Sequence, residues 1–153
     1  ADAVTAAFAG VRVKGDRGVR GADGGSWGDI CALPALWVGL LYDDGALDAA
    51  ESLIKGITAS DVEAARMAVA KDGLQAEMAG RSVHKIAHEV LEIAEAGLKS
   101  RKLLDSKGED ERKYLAPLQE IVKSGKTYAD EMLDKYYSAW DEDITHIFKE
   151  YHY

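Results

Sequence analysis

RGADGGSWGDICALPALWVGLLYD, residues 20 to 43, joins a polar, glycine-rich stretch directly to the most apolar helix candidate in the chain. Gly21, Gly24, Gly25 and Gly28 provide positions where the backbone can take φ > 0 or come close to another group, more than an ordinary surface turn needs. Among them stand Arg20, a fixed-fork donor suited to carboxylate or phosphate, Asp23, and Trp27, a broad indole with a single N–H donor. From Asp29, placed to cap, the pattern turns helical. Ile30, Leu33, Leu36, Trp37, Leu40 and Leu41 recur at helical spacing, and small or apolar residues fill most of the other places. A helix apolar nearly all round is buried in protein or in lipid. At roughly 14 residues this one is too short for a bilayer, which takes about 20, so the pattern predicts a core helix.

Composition sets the outer limits. A chain of 153 residues, 47% hydrophobic and 30% charged, is long enough for one domain with its own core. The formal charge of -8, from 27 acidic and 19 basic residues, offers no broad basic face and argues against nucleic acid as a partner. A single cysteine rules out an internal disulfide. No apolar 18-mer and no basic-then-apolar leader stand in the sequence, which predicts no membrane span, no signal peptide and a cytoplasmic protein.

The remainder reads as helices separated by turns. Val11 and Val13 alternate around Arg12 as a short strand would, whereas Gly15, Asp16, Arg17 and Gly18 predict a turn over Lys14 to Val19. Asp44-Gly45 reads as a helix stop, residues 46 to 55 as a helix, and Thr58 to Asp61 as caps of another running to about Asp72. Gly73 to Gly80 reads as a loop. Ser82 caps the longest pattern, apolar at Val83, Ile86, Ala87, Val90, Leu91, Ala94 and Leu98, to about Leu104. After a charged break at Asp105 to Asp110, Glu111 to Lys123 is helical, with Pro117 predicting a kink or split. Thr127 caps the next helix and Asp141 the last. The expected fold is all-α: a bundle of six or seven short helices with a glycine-rich N-terminal loop and little or no strand, residues 1–29 carrying the loop and 30–153 the helices.

The stretch from Arg20 to Asp43 resembles the plant-type glutamate-cysteine ligases, which also occur in proteobacteria. The likeness rests on RGADGG, the tryptophan that follows, and CALPALWVGLLYD. Weaker similarity continues through Ile57 to Ser60, Val90 to Leu98, Glu120 to Gly125 and Tyr128 to Trp140, so the chain corresponds to the C-terminal part of such an enzyme. The resemblance implies a chemistry in which ATP phosphorylates the γ-carboxylate of glutamate and the cysteine amine displaces phosphate to give γ-glutamylcysteine, the first step of glutathione biosynthesis. In such a site the protein neutralises phosphate charge with arginine and Mg²⁺ and holds the anionic substrate. Carried over by position, Arg20 would face ATP phosphate and Trp27 the glutamate.

Departures from the family matter as much. Where an apolar-acidic strand is expected before Arg20, Gly18 stands at the place of a metal-site glutamate. The family's catalytic sheet and most of its acidic ligands belong to sequence N-terminal to this region. The chain alone is therefore expected to be inactive, with ATP and Mg²⁺ as cofactors of the family but none for this chain by itself, and with no catalytic or metal-binding residue of its own. Its partners would be glutamate and cysteine as family substrates, the missing catalytic region, or a second copy.

Each candidate also has a plainer reading. The Arg20, Asp23, Trp27 loop can be a connector in which Trp27 anchors neighbouring side chains and Arg20 pairs with Asp23. Cys31 reads as a buried inert thiol; plant members of the family use a cysteine in this motif for disulfide regulation, but this chain has no partner for it. His84, His88 and Glu92 could share a helix face as a metal group, yet no third strong ligand motif accompanies them, and a solvated face is the simpler reading. The aromatic tail from Tyr128 to Tyr153 is acidic and reads as core and rim rather than as a base-stacking platform, with an exposed part available to a protein partner. The reading from another class is a stand-alone helical interaction module in which the glycine loop is only structural.

Overall fold

The computed structural model describes residues 11–13, 17–19 and 25–151. Seven α-helices occupy most of the described residues: α1 (Trp27–Leu41), α2 (Asp44–Ile54), α3 (Ala59–Asp72), α4 (Val83–Arg101), α5 (Ala116–Ser124), α6 (Tyr128–Tyr137) and α7 (Ile147–Glu150). Strand content among them is confined to two small hairpins, β1 (Val11–Val13) with β2 (Arg17–Val19) and β3 (Glu77–Met78) with β4 (Arg81–Ser82), both antiparallel. The architecture is the expected all-α one. No single described helix is long and apolar enough to cross a membrane.

Sequence chemistry sets most of the helix boundaries. Thr58 and Thr127 each accept from the N–H three residues on, and Asp61 and Asp130 return the bond to the cap backbone, closing reciprocal capping boxes. Ser82 caps α4. Gly125 ends α5 in the left-handed conformation, which a residue without a Cβ adopts freely.

Pro117 splits its segment as its missing N–H requires. A 3₁₀ turn covers Glu111–Leu115, and the proline then sits in the first turn of α5, where no donor is needed.

Four expectations are corrected. Residues 17–19 form a strand instead of a turn, with Gly18 opposite Arg12; ladder bonds are made by backbone groups, so a glycine can take part. Asp44 and Gly45 lie inside the first turn of α2, because Asp43 accepts from the Ala46 N–H and starts the helix there. Gly73 to Gly80 is not wholly loop, since a 3₁₀ turn (Gly73–Gln75) and β3 occupy part of it. Asp141 does not cap the last helix: it sits at φ 48°, and Asp143 caps the 3₁₀ turn Ile144–His146 that leads into α7.

The core lies between α1 and α4. Ala35 and Leu40 of α1 meet Leu91, Ala94 and Leu98 of α4, with Leu115 and Val122 closing the cluster from the 3₁₀ turn and α5. The two helices touch nearly backbone to backbone. A Cβ built on Gly39 would fall 2.4 Å from the Ala94 carbonyl oxygen, and one on Gly97 would fall 2.0 Å from the Gly39 carbonyl oxygen. Small residues on both helices make that approach possible. Helix α2 turns by 93° from α1 and crosses the end of α4. Arg81 ties β4 to both, donating to the Leu53 carbonyl at 3.2 Å and to both Glu89 carboxylate oxygens at 3.0 and 2.8 Å.

Candidate functional site

The N-terminus of α1 carries the described half of the glycine-rich stretch. Ser26, not Asp29, is the N-cap: its hydroxyl accepts from the Asp29 N–H, while the Asp29 carboxylate accepts from the Ser26 backbone N–H and hydroxyl, each at 2.8 Å. Ser26-x-x-Asp29 is a capping box one turn earlier than the cap assigned from sequence. Trp27 is consequently the first residue of the helix.

Asp29 does a second job. Its other carboxylate oxygen accepts the Tyr128 hydroxyl at 2.9 Å, which fastens the start of α6 to the start of α1. Partial burial pushes the Asp29 pKa up, but bonds from Ser26, Tyr128 and the backbone outweigh that, and the group sits below its ordinary value and stays ionised. Around this frame there is little free space. A Cβ on Gly25 would lie 2.6 Å from Asp29 Oδ2, and one on Gly28 would lie 3.3 Å from Pro117 Cγ. The Tyr128 contact is 99 residues distant in sequence, and no local pattern announces it.

Trp27 does not bury its ring in this frame; it stands 78% exposed at the helix entrance. Among the described residues the ring is thus not buried as an anchor. Arg20 and Asp23, with Gly21 and Gly24, lie outside the described residues.

The other candidates separate. His84 donates from Nε2 to the Val122 carbonyl at 2.5 Å and holds α4 against α5, whereas His88 faces Glu92 at 3.5 Å on the exposed side of α4. The two histidines have different partners and different tasks. Among the described residues no three His, Cys, Asp or Glu side chains gather where they could hold a metal ion. Cys31 is half-buried, not buried as expected, and lines a shallow groove with Pro34, Ala35, Val38, Glu111 and Tyr114.

In the tail, Trp140 is 2% exposed and donates its indole N–H to Glu150 at 2.7 Å. Lys135 binds the same carboxylate at 2.9 Å and lies over the Tyr151 ring. This is a latch closing α7 onto α6, and it needs no ligand to explain it.

A helical unit whose capped first helix presents an indole to solvent can contribute binding surface, and among its described residues it carries no acidic metal cluster. The family model described as glutamate-cysteine ligase family 2 matches residues 1–150, and the chain belongs to that family. It is 36% identical over 147 residues to the chloroplastic glutamate–cysteine ligase of Solanum lycopersicum, covering 96% of this chain and 27% of that protein. The ligases of the same name from Arabidopsis thaliana and Medicago truncatula are 37% and 36% identical over 147 residues, again 96% of this chain and 27% and 28% of theirs. The chain thus spans a little over a quarter of the length of the curated relatives it matches. The names of these relatives also correct the expected cytoplasmic location, because each is a chloroplastic protein. Absence of a leader in the sequence at hand carried that expectation, and it is not a sound basis in a chain covering so little of its relatives.

Proposed function

We propose that this chain is the helical portion of a glutamate–cysteine ligase, contributing part of the glutamate site and depending on other sequence for ATP, Mg²⁺ and catalysis. The family match over residues 1–150 carries the reading. In it Trp27 contacts the glutamate substrate, and Arg20 lies between that substrate and the ATP phosphates. The exposed indole supports the first assignment, since a ring already out of the core can meet a ligand without unfolding anything. Ser26 and Asp29 then act as positioning residues, fixing the first turn from which Trp27 projects. The reaction joins glutamate to cysteine through a phosphorylated γ-carboxylate, so the protein's part is charge neutralisation and alignment.

Tryptophan fluorescence tests the assignment. The chain has three tryptophans, and Trp37 and Trp140 give the background. Titration with glutamate, or with a sulfoximine mimic of the phosphorylated intermediate, is expected to change the emission of the wild type and not that of Trp27→Ala. No response in the wild type would mean that Trp27 has no glutamate to meet in this chain.

A further inference from the structure

The chain starts three helices with the same device. Ser26-Trp27-Gly28-Asp29, Thr58-Ala59-Ser60-Asp61 and Thr127-Tyr128-Ala129-Asp130 each close a reciprocal capping box, the carboxylate accepting from the N–H and the hydroxyl of the cap. Among the described residues, Asp61 and Asp130 accept hydrogen bonds from Thr58 and Thr127 alone. Asp29 differs. Its Oδ1 also takes the Tyr128 hydroxyl at 2.9 Å, and its box is the one with an exposed indole in the first turn. Starting a helix does not require that extra bond, since α3 and α6 start without one.

The local chain gives Trp27 little support. Gly25 and Gly28 flank it, and glycine leaves a backbone freer than any other residue does. The first buried residue of α1 is Ala32, more than a turn further on. The turn is held from outside instead. Pro117 of α5 stands behind Gly28, where a Cβ would come within 3.3 Å of its Cγ, and Tyr128 of α6 grips Asp29. With Oδ1 held by Tyr128, Oδ2 stays on the Ser26 N–H and hydroxyl, each at 2.8 Å. A carboxylate held on one oxygen only is free to turn about its broad terminal torsion and let the box open. Resting on the ligase reading above, we infer that Tyr128 is a positioning residue of the glutamate site, acting through Asp29 to hold the turn that aims the Trp27 indole at the substrate.

The test reads Trp27 directly. Labelled with 5-fluorotryptophan, the chain carries three fluorine signals, from Trp27, Trp37 and Trp140, and Trp27→Phe identifies the first. Tyr128→Phe keeps the ring and removes the hydroxyl. It is expected to shift or broaden the Trp27 signal while leaving the other two in place, and to raise the glutamate dissociation constant read from that signal roughly threefold to tenfold. In an Asp29→Ala background the same substitution is expected to add nothing, because the two residues act as one unit. Ser138→Ala, which removes the hydroxyl that donates to the Asp134 carbonyl at the far end of α6, serves as the reference and is expected to change neither reading.

A Trp27 signal unmoved by Tyr128→Phe would overturn the inference, and so would an unmoved affinity in a chain that does bind glutamate. An equal loss from Ser138→Ala would do the same, since general loosening of α6 would then be the cause. A further loss in the Asp29→Ala background would show Tyr128 acting by another route. Absence of any glutamate response in the wild type would defeat the ligase reading instead, and the unliganded Trp27 signal would still decide whether Tyr128 sets the indole.

Discussion

Gly97 has no room for a side chain, and that single fact holds the centre of the molecule together. Gly97→Ala would force α1 and α4 apart at the place where their backbones touch, and urea unfolding is expected to show a loss of about 3 kcal/mol. Gly39→Ala meets the Ala94 carbonyl and should behave alike, while Gly56→Ala has open space and costs only its backbone conformation, at φ 85°. At the entrance to α1, Tyr128→Phe removes the bond to Asp29 and is expected to cost about 0.5–1 kcal/mol, with the fold unchanged by circular dichroism. The small residues of CALPALWVG were visible in the sequence as apolar, but not as a helix crossing. Spacing reveals which residues share a face, whereas only the facing helix reveals that two glycines meet. Arg20 could be singled out from its chemistry, and Trp27 from its size and neighbours; that Trp27 is turned outward depends on Ser26 starting the helix.

Among the elements, helices announced themselves and short ordered loops did not. Thr58, Ser82 and Thr127 are hydroxyl caps, Pro117 is a break and Gly125 is a stop, and each acts through groups within four residues of itself, which is why they were legible. Strand β2 was not, because its residues propose a turn and only pairing with β1 makes them a strand.

The charged break at Asp105 to Asp110 proves to be a tied loop. Asp105 takes an ion pair from Lys113 and accepts from the Lys107 and Glu109 N–H groups at 2.7 and 3.0 Å. Lys113 first, then those two N–H groups, hold the Asp105 carboxyl at about 2, below its ordinary 3.8. The folded value lies below the unfolded one, so the loop's contribution is complete above 3.8 and disappears as the pH falls toward about 2. Carbon-detected NMR titration is expected to show that midpoint, and Lys113→Met to return it toward the ordinary value. In the tail, Trp140→Phe removes the donor to Glu150 and should free α7, read as faster amide exchange over residues 147–150 with α1 and α4 unaffected.

At the scale of the whole molecule, the chain is a small core carried by two helices, with apolar surface left over. Composition indicated one acidic domain and the apolar spacing a helical one, and the described residues agree with the helical part of that. The family was legible because a long, unusual motif stands at residues 20 to 43. What the sequence could not supply is that Trp27, Ile30 and Leu41 of α1 stand exposed, since an apolar helix pattern reads as core at every position.

The central claim is a division of labour, in which these residues bind part of the substrate while phosphoryl transfer belongs to sequence outside them. Mass-spectrometric detection of γ-glutamylcysteine after incubating the chain with ATP, Mg²⁺, glutamate and cysteine tests it most directly. No product above a protein-free control is the result expected, and steady turnover proportional to the amount of chain would contradict it.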